Sequence, residues 1–254
     1  MQSNTHILLT NDDGYQAEGL RALAAALEGF ATVSIVAPSR EQSGTAQSLT
    51  LRQPIVCNKI AEREWAIDGT PADCVIVALH KLLPEKPDMV ISGINHGANL
   101  GENVYYSGTV GAAREGALHH IPSVAMSLCS KREKFENSAR VARAAAEIIL
   151  KEGLPDQVLL NVNVPEPWNG EVKFTRQSQK ITRNQLTEGK DPRGRSYFWL
   201  YEQKLDKNVE PDTDYAAIFS GAVSITPLHL DPTHTESLNH LSHWAKSIAA
   251  AFKK

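Results

Sequence analysis

Apolar positions along the chain switch between two periods. Short apolar runs at Ile7 to Thr10 and in "ATVSIVAP", "EWAID", "PDMVISG", "IPSVAMS" and "QVLLNVNVP" are bounded by turn formers and read as buried strands. Between them the spacing turns helical. Leu20, Leu23, Ala24 and Leu27 follow the first strand, and "TPADCVIVALHKLL" has Thr70 as N-cap, Pro71 at the first helical position and Asp73 closing a variant capping box. A helix is expected from near Ser107 through "VGAAREGALHH", and another from about Asn137 to Leu150 with Val141, Ala145, Ile148 and Ile149 on one side. Strand and helix alternate over residues 5 to 165. That order predicts an α/β fold, a mostly parallel sheet flanked by helices on both faces and joined by right-handed crossovers.

From Glu166 the pattern changes. "EVKFTRQSQ", "RSYFWLYEQ" and "YAAIFSGAVSITPL" read as extended runs separated by the polar segments "NQLTEGKDPRG" and "LDKNVEPDTD". Phe198, Trp199 and Tyr201 exceed what a solvated hairpin needs, so they are expected to pack on a core or on another subunit. A closing helix starts with Thr233 and Glu236 as a capping box and carries Leu238, Leu241, Trp244 and Ile248 at helical spacing. The expected organisation is one domain over 1–254: a core of about 1–165, a C-terminal β-rich extension of about 166–232, and a terminal helix of about 234–252.

Composition narrows the partners. The 254 residues are 42% hydrophobic and 22% charged with a net charge of -3, which gives no field to draw in a nucleic-acid polymer or an anionic membrane. Cys57, Cys74 and Cys129 are far apart, odd in number and without C-x-x-C spacing, which argues against a disulfide framework or a zinc site. Neither a basic segment leading into an apolar run nor a stretch of roughly 20 apolar residues occurs, so a cytoplasmic protein is expected.

The chemistry starts where the first strand meets two adjacent acids, in "LLTNDDGY". Consecutive side chains on a strand point to opposite faces, so Asp12 and Asp13 can act together only where the backbone turns, and Gly14 permits that. Paired carboxylates then need a shared proton, a cation or a metal ion; an ordinary solvated turn is the plain alternative. In doubly wound sheets ligands sit beyond the carboxyl ends of strands. Three such loops are rich in oxygen: the first holds Asn11, Asp12 and Asp13, the second ("PSREQSGTAQS") holds Ser43, and the third ("GINHGANLGENVYYSGT") holds Asn95 and Asn99. Carboxylate, hydroxyl and amide oxygens suit Mg²⁺ or Mn²⁺ better than zinc or copper. Ser107, Gly108 and Thr109 open the next helix, where backbone N–H groups can cradle a phosphate or the serine can simply cap.

Taken together, "ILLTNDDGYQAEGLRAL", "VAPSREQSG", "DGTPADCV", "DMVISGINHGANLGENVYYSGTVGAAREG" and "VSITPL" resemble the SurE (survival protein E) family of metal-dependent nucleotidases, over nearly the whole chain. The resemblance implies a Rossmann-like core, an extended C-terminal arm that engages a neighbouring subunit in a homodimer or homotetramer, and hydrolysis of nucleoside 5′- or 3′-monophosphates; the choice between 5′ and 3′ and any action on short-chain polyphosphate stay open. By motif it makes Asp12, Asp13, Ser43 and Asn95 ligands of one divalent metal ion per subunit. It makes Asn99, Ser107, Gly108 and Thr109 the lining of the phosphate site. Asp12 and Asp13 also become the groups that serve catalysis. Two departures stand out: "EPDTDYAAI" replaces a common Gly-Thr-Asp triplet and places Asp212 in that turn, and His96 follows Asn95.

Other readings are weaker. A haloacid-dehalogenase-type aspartyl phosphate needs D-x-D, whereas these acids are adjacent. No G-x-S-x-G elbow appears, and "GINHGANLG" does not spell a dinucleotide loop. His119 with His120, and His240 with His243, read as surface pairs. The alternative from another class is a non-catalytic metal- and nucleotide-binding sensor, separable only by turnover.

Overall fold

The computed structural model describes residues 5–130, 134–179, 182–204 and 209–251. The core strands are β1 (His6–Thr10), β2 (Thr32–Pro38), β3 (Val56–Ala61), β4 (Glu64–Asp68), β5 (Met89–His96), β6 (Ser123–Cys129) and β7 (Val158–Pro165). The helices among them are α1 (Glu18–Leu27), α2 (Pro71–Val77), α3 (Gly108–Leu118) and α4 (Glu136–Glu152). Beyond the core come β8 (Val172–Phe174), β9 (Thr182–Lys190), β10 (Ser196–Lys204), α5 (Asp214–Phe219), β11 (Val223–His229), α6 (Thr235–Leu241) and α7 (Trp244–Ala251).

The main sheet runs β3-β4-β2-β1-β5-β6-β7-β11-β8. It is parallel from β4 through β7; β3 joins β4 and β11 joins β7 antiparallel, and β8 closes the edge parallel to β11. The alternation of β1 shows why helices cover both faces. Ile7 and Leu9 pack with Leu20, Leu23 and Leu27 of α1 and with Ala142, Ala146 and Ile149 of α4. Leu8 points the other way, to Cys74 and Val75 of α2 and Ala112 of α3. The chain leaves β1 towards β2 on one side and returns to β5 on the other. The gap between β1 and β5 is therefore the topological switch point, where doubly wound sheets bind ligands.

One expectation is met atom by atom. The Thr70 hydroxyl accepts from Asp73 N at 3.2 Å while Thr70 N donates to Asp73 Oδ2 at 2.9 Å, completing the capping box. After α2 the chain continues as a π-helical turn, Ala78–Leu82.

Others are corrected. "NQLTEGKDPRG" is not a separating segment: most of it forms β9, which pairs with β10 from Thr182↔Lys204 to Lys190↔Ser196. A two-stranded ribbon clear of the main sheet buries neither face fully, so its strand lacks the apolar alternation by which strands are read. "DYAAIF" is helical, with the Thr213 hydroxyl accepting from Ala216 N, although its short apolar run read as extended. The strands β8 and β11 join the main sheet rather than an arm, and β3, whose residues are exposed, carried no usable pattern. In α4, Ile148 lies outside the buried face of Ser138, Ala139, Ala142, Ala146 and Ile149.

The terminal helix is two helices. His234 occupies the N-cap of α6 without a side-chain cap bond, so the Thr233–Glu236 box does not form; Thr233 N instead donates to Asp231 Oδ1 at 2.9 Å. Residues 205–208 of the polar segment "LDKNVEPDTD", and the last expected helical residue, 252, lie outside the described residues.

Candidate active site

One cavity of about 800 Å³ opens beyond the carboxyl ends of β1, β2 and β5. Asp12, Asp13, Glu41, Ser43, Asn95, His96, Asn99, Asn103, Tyr106 and Ser107 line it from the core, and Asn184, Leu200 and Tyr201 from the hairpin. Six of the expected site residues thus meet at one place. Gly108 and Thr109 stand behind the lining, against Asp12.

Asp12 is fixed from three directions. Its backbone oxygen accepts from Gln42 N at 2.7 Å, which ties the loop after β1 to the loop after β2. Its Oδ1 accepts from the Thr109 hydroxyl at 2.5 Å. The third constraint is Gly108: a Cβ there would meet Asp12 Cβ at 2.8 Å and Oδ2 at 3.0 Å, so only glycine lets the first turn of α3 come this close. Asn11 makes the turn itself, its Nδ2 donating to Gly14 O at 2.8 Å and its Oδ1 accepting from Gly14 N at 3.2 Å.

Asp13 Oδ2 accepts from His96 N at 3.3 Å, joining β1 to the end of β5. Along β5 the register against β6 shifts between Ser92 and Asn95, a bulge that re-aims the end of the strand. Gly93 lies inside that shift, with φ +138° and Met126 O 2.4 Å from where a Cβ would stand. Asn95 then donates Nδ2 to Gly97 O at 2.8 Å, which turns its amide oxygen away from that contact. Ser43 Oγ donates to Glu41 Oε1 at 2.7 Å.

Asn99 sits in a buried amide cluster. Its N donates to Asn163 Oδ1, its Nδ2 to Ser127 Oγ, and its carbonyl accepts from Asn161 and Asn163. Ser107 caps α3, its hydroxyl accepting from Val110 N at 3.1 Å, while its side chain also borders the cavity.

The electrostatics are those of excess negative charge. Burial pushes the Asp12 carboxyl up to about 6; the Thr109 hydrogen bond opposes the rise and the Asp13 charge adds to it. Burial also raises Asp13, opposed by the His96 N–H and assisted by Glu41. Among the described residues no Lys or Arg pairs with Asp12, Asp13 or Glu41. An uncompensated buried carboxylate calls for a cation, and hydroxyl, amide and carboxylate oxygens fit a hard divalent one. Among the described residues no three His, Cys, Asp or Glu side chains come close enough to hold one ion, so Glu41 does not complete a three-acid cluster. A mixed set of Asp12, Asp13, Ser43 and Asn95, all on the cavity wall, could hold such an ion.

Sequence reasoning passed over several contributors. Glu41 and Tyr106 flank named residues and carry no spacing signal of their own. Asn161 and Asn163 were visible as alternate polar residues inside an apolar strand. Asp214 is fully buried: its Oδ2 accepts from Gly101 N at 2.7 Å, and its Oδ1 from Ser178 N at 3.2 Å and Tyr215 N at 2.8 Å. It thereby holds the start of the 3-10 turn Gly101–Tyr105, which leads into Ser107. The unusual Asp212, in the turn that leads into α5, accepts from Arg176 Nε at 2.8 Å at the surface.

Residues 7–184 match the family model for survival protein SurE. The chain belongs to the SurE family. It is 44% identical to the 5′-nucleotidase SurE of Pelobacter propionicus, covering 94% of this chain and 99% of that one. It is 46% identical to the 5′-nucleotidase SurE of Vibrio parahaemolyticus, covering 94% of each. The crystal structure of the SurE protein from Aquifex aeolicus superposes with a TM-score of 0.86 at 39% identity, over 94% of this chain and 99% of that one. The SurE fold is thus present over nearly the full length, including the strands beyond the core. No described helix is long and apolar enough to cross a membrane.

Proposed function

We propose that this chain is a 5′-nucleotidase, a phosphoric monoester hydrolase that converts nucleoside monophosphates to nucleoside and phosphate by direct attack of water. The observation that carries the reading is the meeting of Asp12, Asp13, Ser43, Asn95, Asn99 and Ser107 on one cavity at the switch point of the sheet. Its volume, about 800 Å³, suits a ligand of nucleotide size. The 5′-nucleotidase names of its relatives support the same activity.

Asp12, Asp13, Ser43 and Asn95 would hold one Mg²⁺ or Mn²⁺ ion. Bound there, a divalent ion supplies Lewis-acid polarisation of the phosphoryl group and a water of lowered pKa. The chain does the rest. Asn99 and the Ser107 end of α3 orient the phosphoryl oxygens, where the helix N-terminus offsets their charge. Water oxygen bonds to phosphorus as the bond from phosphorus to the ester oxygen breaks; the water proton passes to one of the two aspartates, and the departing oxygen takes up a proton from that aspartic acid or from solvent to leave as the nucleoside hydroxyl. Gly108 and Thr109 act through Asp12, one by letting it approach and the other by fixing Oδ1. The free thiols Cys57, Cys74 and Cys129 accord with work in the cytoplasm. Trp199 and Phe198, 70% and 60% exposed on the hairpin, support assembly into a homodimer or homotetramer through the C-terminal arm.

The test is phosphate release from 5′- and 3′-nucleoside monophosphates and short polyphosphate by metal-stripped protein, with and without Mn²⁺ or Mg²⁺. Metal-dependent release from the 5′-monophosphates, reduced on the order of 10³-fold in Asp12→Asn, is expected. Nucleotide binding without turnover would replace the enzyme with a sensor.

A further inference from the structure

The oxygen-rich floor of the cavity accounts for a phosphate and a metal, yet the cavity is larger than a phosphoryl group and has a second kind of wall. Leu200 and Tyr201 line it from the β9–β10 hairpin, with Asn184 beside them. The hairpin shares no strand ladder with the main sheet, so it borders the site through side chains and not as a continuation of the sheet. Leu200 is 66% exposed and Tyr201 49%, which leaves apolar and aromatic surface uncovered next to three carboxylates. Leu200 has no polar atom and Tyr201 only one neutral hydroxyl, so neither supplies the charge that a phosphate or a cation calls for.

We propose that the hairpin is the nucleoside-recognition element of this site, with the Tyr201 ring forming the wall against which the base rests; Leu200, on the opposite face of β10, borders the cavity without sharing that wall. The inference rests on the nucleotidase reading and adds to it a division of labour: strand-end loops read the phosphate, the hairpin reads the nucleoside. A purine or pyrimidine is flat and apolar on its faces, which matches a tyrosine ring. Stacking is tolerant because every base presents a π-face, so this wall favours nucleotides over other phosphate esters while discriminating weakly among bases. Asn184 adds an amide that can bond a base edge or a ribose hydroxyl.

The experiment compares Tyr201→Ala and Tyr201→Phe with the wild-type chain, under the metal condition that gives turnover, on a 5′-nucleoside monophosphate and on ribose 5-phosphate, which keeps the phosphate and sugar but lacks the base. Tyr201→Ala should raise KM for the nucleotide about tenfold with kcat retained, and leave kcat/KM for ribose 5-phosphate within about twofold. Tyr201→Phe, which keeps the ring, should behave as wild type. Unchanged nucleotide KM, or an equal loss on both substrates, overturns the proposal; the second result would mean that the hairpin serves only folding or assembly. If the wild-type chain hydrolyses neither substrate, the nucleotidase reading fails first, and that outcome is distinct from a wild type that turns over nucleotide while its variants match it.

Discussion

The loops at the strand ends and the β9–β10 hairpin border the same cavity and are built on opposite terms. Asp12 is held on three sides: a backbone bond to Gln42, a hydroxyl from Thr109, and the close approach of α3 that Gly108 admits. The hairpin holds itself by one antiparallel ladder and keeps its large side chains exposed. Chemistry needs groups fixed to fractions of an ångström, and the strand-end loops inherit that from the sheet. Surfaces that meet a substrate or a second chain need only shape and apolar area, which an outlying ribbon can supply.

The comparison breaks most sharply at Asp12, where loss of turnover in Asp12→Asn is expected without loss of the fold. Next comes Asp214, whose carboxylate satisfies three backbone N–H groups. Asp214→Ala should cost about 3 kcal/mol in urea unfolding, because buried donors are left without partners. It should also lower activity by loosening the turn that leads to Ser107.

Asp12 supplies a third outcome of opposite sign. Its folded pKa of about 6 lies above the ordinary 3.8, so the folded state retains a proton that the unfolded state releases. Its contribution to stability is full below about pH 4 and lost as pH rises through 6. In the metal-free protein at pH 7, Asp12→Asn should therefore be more stable than wild type, by on the order of 2 kcal/mol. The gain should shrink as pH falls towards 4, and added Mn²⁺ should raise the melting temperature of wild type more than that of the variant. A variant less stable at every pH would show that the carboxylate is not carrying an uncompensated charge.

The smallest effect belongs to the hairpin. Phe198→Ser or Trp199→Ser should change the unfolding free energy of the subunit by no more than about 0.5 kcal/mol, since exposed side chains bury little on folding. Light scattering should nevertheless show weakened assembly; an unchanged oligomer would confine the hairpin to the cavity.

The legible part of the sequence was the part with a face to bury. β1, β2, β5, β6 and β7 announced themselves through apolar runs, and Thr70 with Asp73 marked a helix start that forms as read. The oxygen-bearing loops followed from where such strands end. What stayed hidden had no burial pattern to show: β9 is polar, β3 is exposed, and α5 is too short for its period to be told from a strand. The Thr233 box failed because its sequence met the rule while the chain there bends back on Asp231. In the site, motif reading named residues that lie close together but could not tell lining from support. Thr109 and Gly108 turned out to face Asp12 instead of the cavity, a distinction that depends on where α3 begins relative to β1.

That contact between Thr109 and Asp12 makes the two carboxylate oxygens unequal. The threonine hydroxyl has a single proton to give and gives it to Oδ1, so one of the carboxylate's roughly four lone-pair sites is spent on α3. Asp12 therefore meets the cavity with its plane already set, aimed by a neighbouring helix before anything binds.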